Sequence, residues 1–323
     1  MNRTKTIIAV LISLLVLGYV FVTLDWDQTW NTLRLVHVPW LFTALVFHLL
    51  TYVIRTFRFT FLLDSSPRFL SILGATNLYG MYLYLMPAKT GELSMPLLYK
   101  ENLNIPLTHS TAALVAARFL DLVMMALLLP LLLIFQWTRL MPYMRLVIIS
   151  VCLMVIILWI IFLYYLRNPG KLDSLLRWFD ISNISFLNRI GEIGQKIYNE
   201  MRRIYVKKKF WPALLISAGI WLLVQNTLYS IISSLGFQVT LLQVVGVTLV
   251  MIPFTFIPVQ GFANLGTYEI SIVLAFSLYG VTSEDSLNIA VGSHVIYIGF
   301  SFILGLLGFG ILRLTRNIQK VAE

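Results

Sequence analysis

The sequence predicts an all-α polytopic membrane protein with about six spanning helices and two re-entrant helical hairpins arranged as an inverted repeat. Charged residues make up 12% of the 323-residue chain and hydrophobic residues 59%, whereas a typical soluble domain carries about 25% charged residues. The mean hydropathy is +0.85. Six apolar runs are long enough to cross the hydrocarbon core, which is about 30 Å thick and takes about 20 helical residues. Two further runs stop short at a proline. The alternating segments of about ten residues that mark a β-barrel are absent from the sequence.

Taken in order, the N-terminal MNRTKT and the apolar stretch Ile7–Leu24 have the outline of a signal peptide. Asp25, Trp26 and Asp27 follow where small residues would mark a cleavage site, and the apolar run exceeds a usual signal core. Thr6–Leu24 therefore reads as a first span with its N-terminus in the cytoplasm. The other spans are Trp40–Leu63, Thr108–Gln136, Tyr143–Leu166, Phe210–Leu235 and Ser286–Leu314. Phe69–Met86 ends at Pro87 and runs into PAKTGELSMPLLYKEN, which is too polar to span. Leu241–Ile257 ends at Pro258, followed by VQGFANLGTYE and a second apolar piece to Tyr279. Each of these regions reads as two short helices that enter the membrane and return on the same side. Trp26, Trp40, Trp137 and Trp211 sit near span ends as interfacial anchors.

The net charge of +10 would suggest nucleic acid in a soluble chain, but most of it sits in short flanks and one loop. The segment Arg167–Lys209 holds ten Lys/Arg against four Asp/Glu, and the tail carries Arg313, Arg316 and Lys320. Asp25, Asp27, Glu284 and Asp285 lie in the alternate loops, with only Arg34 and Arg139 as basic residues. With both hairpins re-entrant, the positive-inside rule places the basic loop and both termini in the cytoplasm, in an inner (cytoplasmic) membrane. A single full crossing at Phe69–Met86 would put that loop outside. Nucleic-acid binding is excluded on the same ground. Within the loop (residues 167–209), Ile184, Leu187, Ile190, Ile193, Ile197, Met201 and Ile204 recur at helical spacing. They predict an amphipathic helix on the cytoplasmic face, ending in Lys207–Lys209 beside anionic head groups; a solvated connecting helix fits the same pattern. Cys152 lies alone in an apolar run, and the four histidines share no metal-site spacing, so no metal or other cofactor is expected.

The two hairpin regions form a partial repeat, about 40–136 and about 210–314. Glu92 precedes Arg118 by 26 residues and Glu269 precedes His294 by 25, while the proline-to-glutamate spacing differs, 5 against 11. With the charge-derived topology, one hairpin opens from each side, the arrangement in which two halves rock about a midplane site. Arg118 lies about ten residues into its span, roughly 15 Å deep, and Asp121 shares its helical face. Such charges face a bundle interior or a wet cavity, as a functional site or as a structural clamp between helices. Glu92 and Lys89 lie at the first hairpin tip, where Gly91 allows the turn; Glu92 is a candidate partner for Arg118 and Lys89 a candidate phosphate contact. Half-helices beginning after Pro87 and after Gly266 would aim amide groups at an anion. In the second hairpin Glu269 is the acidic group, with Gln260, Asn264 and Tyr268 near it. His294 reads either as a titrating group or as a neutral core histidine. Arg55 and Arg58, near the cytoplasmic end of the second span, read either as snorkelling side chains or as a capture point for a lipid phosphate.

The stretch LYLMPAKTGELSMPLLYKENLNIP, the span containing AARFLD, and the later FIPVQGFANLGTYE with its turn at Gly280–Val281 resemble the lysylphosphatidylglycerol synthase transmembrane-region family. They are similar to the flippase-type membrane domain of multiple peptide resistance factors, over roughly Ile7 to Leu314. The resemblance implies that Pro87, Gly91, Glu92, Arg118, Asp121, Pro258, Gly261, Gly266 and Glu269 occupy motif positions. His294 stands where many members carry arginine, and Lys89 where arginine is common. The chain ends at Glu323 without the soluble aminoacyl-transfer domain of the synthetases, so lysyl transfer is not implied. The resulting expectation is a lipid or glycolipid flippase that binds a phosphate-bearing head group in a midplane cavity between the hairpins. Its partners would be membrane lipids, either an anionic phospholipid or a polyprenyl-phosphate-linked glycan, with a homo-oligomer left open. An intramembrane enzyme acting on a lipid phosphate and an accessory subunit of a glycosyltransferase system are the alternatives. No GxSxG, HExxH or nucleotide-binding loop supports the former or supplies an energy source.

Overall fold

The computed structural model describes residues 36–63, 68–136, 142–168, 185–255 and 262–322, together with Trp30, Arg34 and Lys171. The first expected span, Thr6–Leu24, lies outside the described residues, as do Gln260, Pro258 and Gly261. The described residues form ten α-helices: α1 (Val38–Leu63), α2 (Phe69–Leu85), α3 (Ser94–Leu103), α4 (Leu107–Gln136), α5 (Pro142–Arg167), α6 (Ser185–Val206), α7 (Phe210–Ser234), α8 (Leu241–Thr255), α9 (Thr267–Ser277) and α10 (Ser283–Ala322). Two short 3-10 turns, Pro87–Leu93 and Phe262–Asn264, interrupt the series. Among the described residues, Val38–Leu63, Leu107–Pro130, Phe210–Ser234 and Ser283–Asn317 are long and apolar enough to cross a membrane. The protein is an all-α multi-pass membrane protein.

Local chemistry sets the helix ends. Before α8, the Gln243 N–H donates to Thr240 Oγ1 at 3.2 Å and the Thr240 N–H donates to Gln243 Oε1 at 2.8 Å. This reciprocal cap satisfies amides that the helix leaves orphaned. Before α10, the Asp285 N–H donates to Thr282 Oγ1, whose hydroxyl donates to the Asp285 carboxylate at 2.8 Å. That cap starts α10 at Ser283 rather than at the expected Ser286. The helix also continues past Leu314, because a tail too polar to span can remain helical in water.

Two compact units divide the chain. The first gathers Leu73–Ser94 and Ile220–Glu323 with the N-terminal part of α1; the second gathers Arg55–Ile72 and Met95–Gly219. In the first unit, Leu228, Ile232, Val244, Val247, Ile272, Phe276 and Ile289 form one buried apolar cluster from α7, α8, α9 and α10. Gly74 on α2 and Gly308 on α10 let these helices touch: a β-carbon on Gly308 would stand 2.8 Å from the Gly74 carbonyl oxygen. Small residues at a crossing are the usual means of packing helices in lipid, where apolar burial supplies no drive between them.

In the second unit, α6 packs on α4 and α5. Met201 and Ile204 are buried, so the C-terminal part of its apolar stripe is covered by protein. The Tyr198 hydroxyl donates to the Tyr165 carbonyl at 2.7 Å, and His109 meets Glu200 at 2.9 Å. Lys209 donates to the Phe61 carbonyl at 2.8 Å. The C-terminal ends of α1 and α5, the N-terminal ends of α4 and α7, and the basic helix α6 therefore share one end of this unit.

Candidate functional site

Two buried polar clusters stand out, one in each unit. In the second unit, Arg58 on α1 donates from Nη1 to Asp121 Oδ1 on α4 at 2.6 Å and to Ser217 Oγ on α7 at 2.9 Å. Nη2 reaches Asp121 Oδ2 at 3.4 Å. Ser217 in turn donates to the Ala213 carbonyl at 2.9 Å, which leaves its oxygen to accept from Arg58. Arg58 is 1% exposed and Asp121 5%, so neither charge is solvated and each depends on the other.

Arg118 Nη1 lies 3.8 Å from Asp121 Oδ2, and its side chain is 34% exposed. Arg55 also acts on Asp121 electrostatically. The guanidinium groups of Arg58, Arg118 and Arg55 thus all act on this one carboxylate.

The sequence reading pairs Asp121 with Arg118 on the same helix, a contact present at 3.8 Å, and reads Arg58 as a snorkelling side chain or a capture point for a lipid phosphate. The structure gives the short, forked contact to Arg58, and Arg58 does not reach for water. The reason is directional: a guanidinium from a facing helix meets a carboxylate end-on, as bidentate pairing requires, while Arg118 leaves its helix roughly alongside Asp121.

In the first unit the two 3-10 turns, which fall where the sequence reading expects the hairpin tips, pack on each other. Pro87 opens the first tip as its first residue. A β-carbon on Gly91 would lie 2.2 Å from the Tyr82 carbonyl oxygen and 2.7 Å from Leu83 Cα, so only glycine lets the returning chain rest on the last turn of α2. Ser94 Oγ donates to the Gly91 carbonyl at 2.6 Å. Glu92 is half-buried here; the side chain of Lys89 lies outside the described residues. Asn264 Nδ2 of the second tip donates to the Tyr84 carbonyl at 3.3 Å and ties that tip to the last turn of α2.

The second tip leads into α9 through Gly266, whose φ of +86° is left-handed. Glu269 Oε2 accepts the Gly266 N–H at 2.7 Å. That amide, expected to face an incoming anion, already holds the protein's own carboxylate. Glu269 Oε1 is hydrogen-bonded to His294 Nδ1, and His294 Nε2 donates to the Ala263 carbonyl at 2.7 Å. Glu269 is 4% exposed and His294 1%. The Tyr268 ring lies 4.5 Å from the imidazole and its hydroxyl 3.0 Å from Ser293 Oγ.

The family model for the lysylphosphatidylglycerol synthase TM region matches residues 6–305. The chain belongs to that family. No individual curated protein matches it. Membership in the lysylphosphatidylglycerol synthase TM family places the protein in a lipid-related membrane role. Of the residues that bear the resemblance to this family, Arg118 and Asp121 fall in the second unit's cluster, and Gly91, Glu92, Gly266 and Glu269 fall at the tips in the first. Ser217, Tyr84 and the Ala263 carbonyl were not anticipated. A lone serine in an apolar span and a backbone carbonyl give no sequence signal; Tyr84, three residues before Pro87, offered only its position.

Proposed function

We propose that the protein translocates a lipid or glycolipid across the inner membrane and binds its head-group phosphate at Arg118, with Arg55 as the second cation. The observation that carries this reading is the placement of Arg118, one-third exposed, beside the buried Arg58–Asp121 pair, on which Arg55 also acts. Arg58 is consumed by Asp121 and Ser217, so it acts as the clamp, and Arg118, one-third exposed, is the cation presented to a ligand. Guanidinium suits phosphate because its planar donors match the oxygens bidentately. The substrate class is an anionic phospholipid or a polyprenyl-phosphate-linked glycan.

The two hairpins are the moving parts of this proposal, re-entrant from opposite sides and related as an inverted repeat, with both chain termini cytoplasmic. Neither helix of the second hairpin crosses alone: α8 has 15 residues and α9 has 11, about 22 Å and 16 Å at 1.5 Å per residue. Glu92 and Glu269 are the groups proposed to respond when a tip moves.

The test is leaflet exchange of fluorescent phospholipids and of a polyprenyl-phosphate-linked sugar in sealed liposomes. Wild type is expected to exchange one of them. Arg118→Ala, folded by its elution profile, is expected to lose at least tenfold in rate, since a charge-assisted contact is worth about 1.5–3 kcal/mol, and Glu92→Gln is expected to slow exchange. Absence of exchange for every lipid, with or without a proton gradient, would overturn the reading in favour of an enzyme or accessory subunit.

A further inference from the structure

We infer that Glu269 and His294 form a proton-binding site, and that the bound proton latches the second hairpin tip to α10. Donor and acceptor roles set the number of protons in this contact. A carbonyl oxygen only accepts, so the contact of His294 Nε2 with the Ala263 carbonyl at 2.7 Å places a hydrogen on Nε2. Nδ1 is left facing Glu269 Oε1. If the carboxylate were ionised and the imidazole neutral, a lone pair would face a negative oxygen with nothing between them. The contact therefore holds one more proton, shared between Oε1 and Nδ1 as imidazolium with carboxylate or as neutral acid with neutral ring. Solvent supplies that proton and receives it on release; no other bond forms or breaks. Glu269 Oε2 remains on the Gly266 N–H in both forms.

The latch holds a strained piece of chain. Ala263 and Asn264 both have left-handed backbone, with φ of 52° and 59°, a conformation disfavoured by the β-carbon at Ala263 and tolerated more readily by Asn264. His294 fastens the first of them through its carbonyl, and the Tyr84 carbonyl fastens the second. Loss of the shared proton turns the Glu269–His294 contact repulsive and leaves the tip to relax.

Among the described residues, the other titratable groups near the pair are few. Tyr268 stands on α9, Tyr297 on α10 and Tyr84 on α2, where Tyr84 and Tyr268 ring the imidazole. His48 and Tyr52 lie behind Tyr297 on α1. α7 contributes Tyr229 to the core below, α8 brings no ionisable side chain, and Glu92 lies in the first tip. Among these, Glu269 and His294 alone share a direct hydrogen bond in which a carboxyl and an imidazole exchange a proton.

Hydrogen–deuterium exchange of peptides covering 262–270 tests the site without reference to lipid movement, so its outcome and that of the exchange assay are separable. The full chain in nanodiscs is measured from pH 5 to pH 9, with rates corrected for the intrinsic pH dependence of exchange. Wild type is expected to lose protection at the tip by about tenfold or more as pH rises, the factor that goes with one charge-assisted hydrogen bond. Glu269→Gln is expected to keep the tip protected at every pH, because its amide N–H donates to Nδ1 and its oxygen still accepts from Gly266. His294→Ala is expected to be unprotected throughout. Tip protection in wild type that does not vary with pH overturns the inference, as does an undiminished pH dependence in Glu269→Gln.

Discussion

Arg58 and Asp121 set the terms at the scale of single residues. Their pair is buried among apolar helices, where an unpartnered charge costs far more than the pair itself contributes. Asp121→Asn or Arg58→Ala is accordingly expected to lower stability by about 3–5 kcal/mol, read as a lower melting temperature in detergent. The double change Arg58→Met with Asp121→Leu is expected to lose much less, since it removes both charges together. Arg118→Ala is expected to melt close to wild type, because its side chain is one-third exposed. The spacing of Arg118 and Asp121 was legible in the sequence. Which arginine takes the carboxylate was not, because that depends on which helix faces α4, and periodicity carries no information about neighbours. The same limit applies to His294: its position could be read from the repeat, while its two hydrogen bonds come from a backbone carbonyl and a hairpin that only folding brings near.

Helices were more legible than pairings. The expected spans from Trp40 onward agree with helices in the structure to within a few residues, save for the C-terminal extension of α10, because a run of about 20 apolar residues has few alternatives in lipid. The proline after Phe69–Met86 marked where α2 stops, since proline removes a donor and restrains the residue before it; Pro258 lies outside the described residues. What the pattern left open was the covering of α6, whose stripe served equally for head groups or for protein. At this scale glycines separate sharply. Gly91→Ala would set a β-carbon against the backbone of Tyr82 and Leu83, which cannot swing aside as a side chain would. It is expected to lose at least 2 kcal/mol of stability, roughly what forced backbone shifts cost, and to raise exchange in the peptide covering 87–93. Gly194→Ala on α6 meets nothing within 4 Å and is expected to gain about 0.5–1 kcal/mol from helix propensity, seen as a higher melting temperature.

For the whole molecule, the membrane class followed from composition alone, and the topology rests on charge asymmetry. A direct check uses single cysteines in a Cys152→Ser background, labelled from one side of oriented vesicles. Arg68→Cys and Glu101→Cys flank the first hairpin at exposed positions, and Gln238→Cys and Glu284→Cys flank the second. Re-entrant hairpins require both members of each pair to label from the same side, with the first pair cytoplasmic and the second opposite. A split pair would turn that hairpin into a crossing.

The clamp at Arg58 also limits how the second unit can deform. It joins segments of three helices, α1, α4 and α7, through one guanidinium. A slide of α1 past α4 by a helical turn, about 5.4 Å, would part Arg58 from Asp121 and leave that guanidinium buried without its carboxylate. Ratcheting of these two helices past each other is thereby opposed. Their paired segments travel together, and any gearing must come from joints that no ion pair straddles.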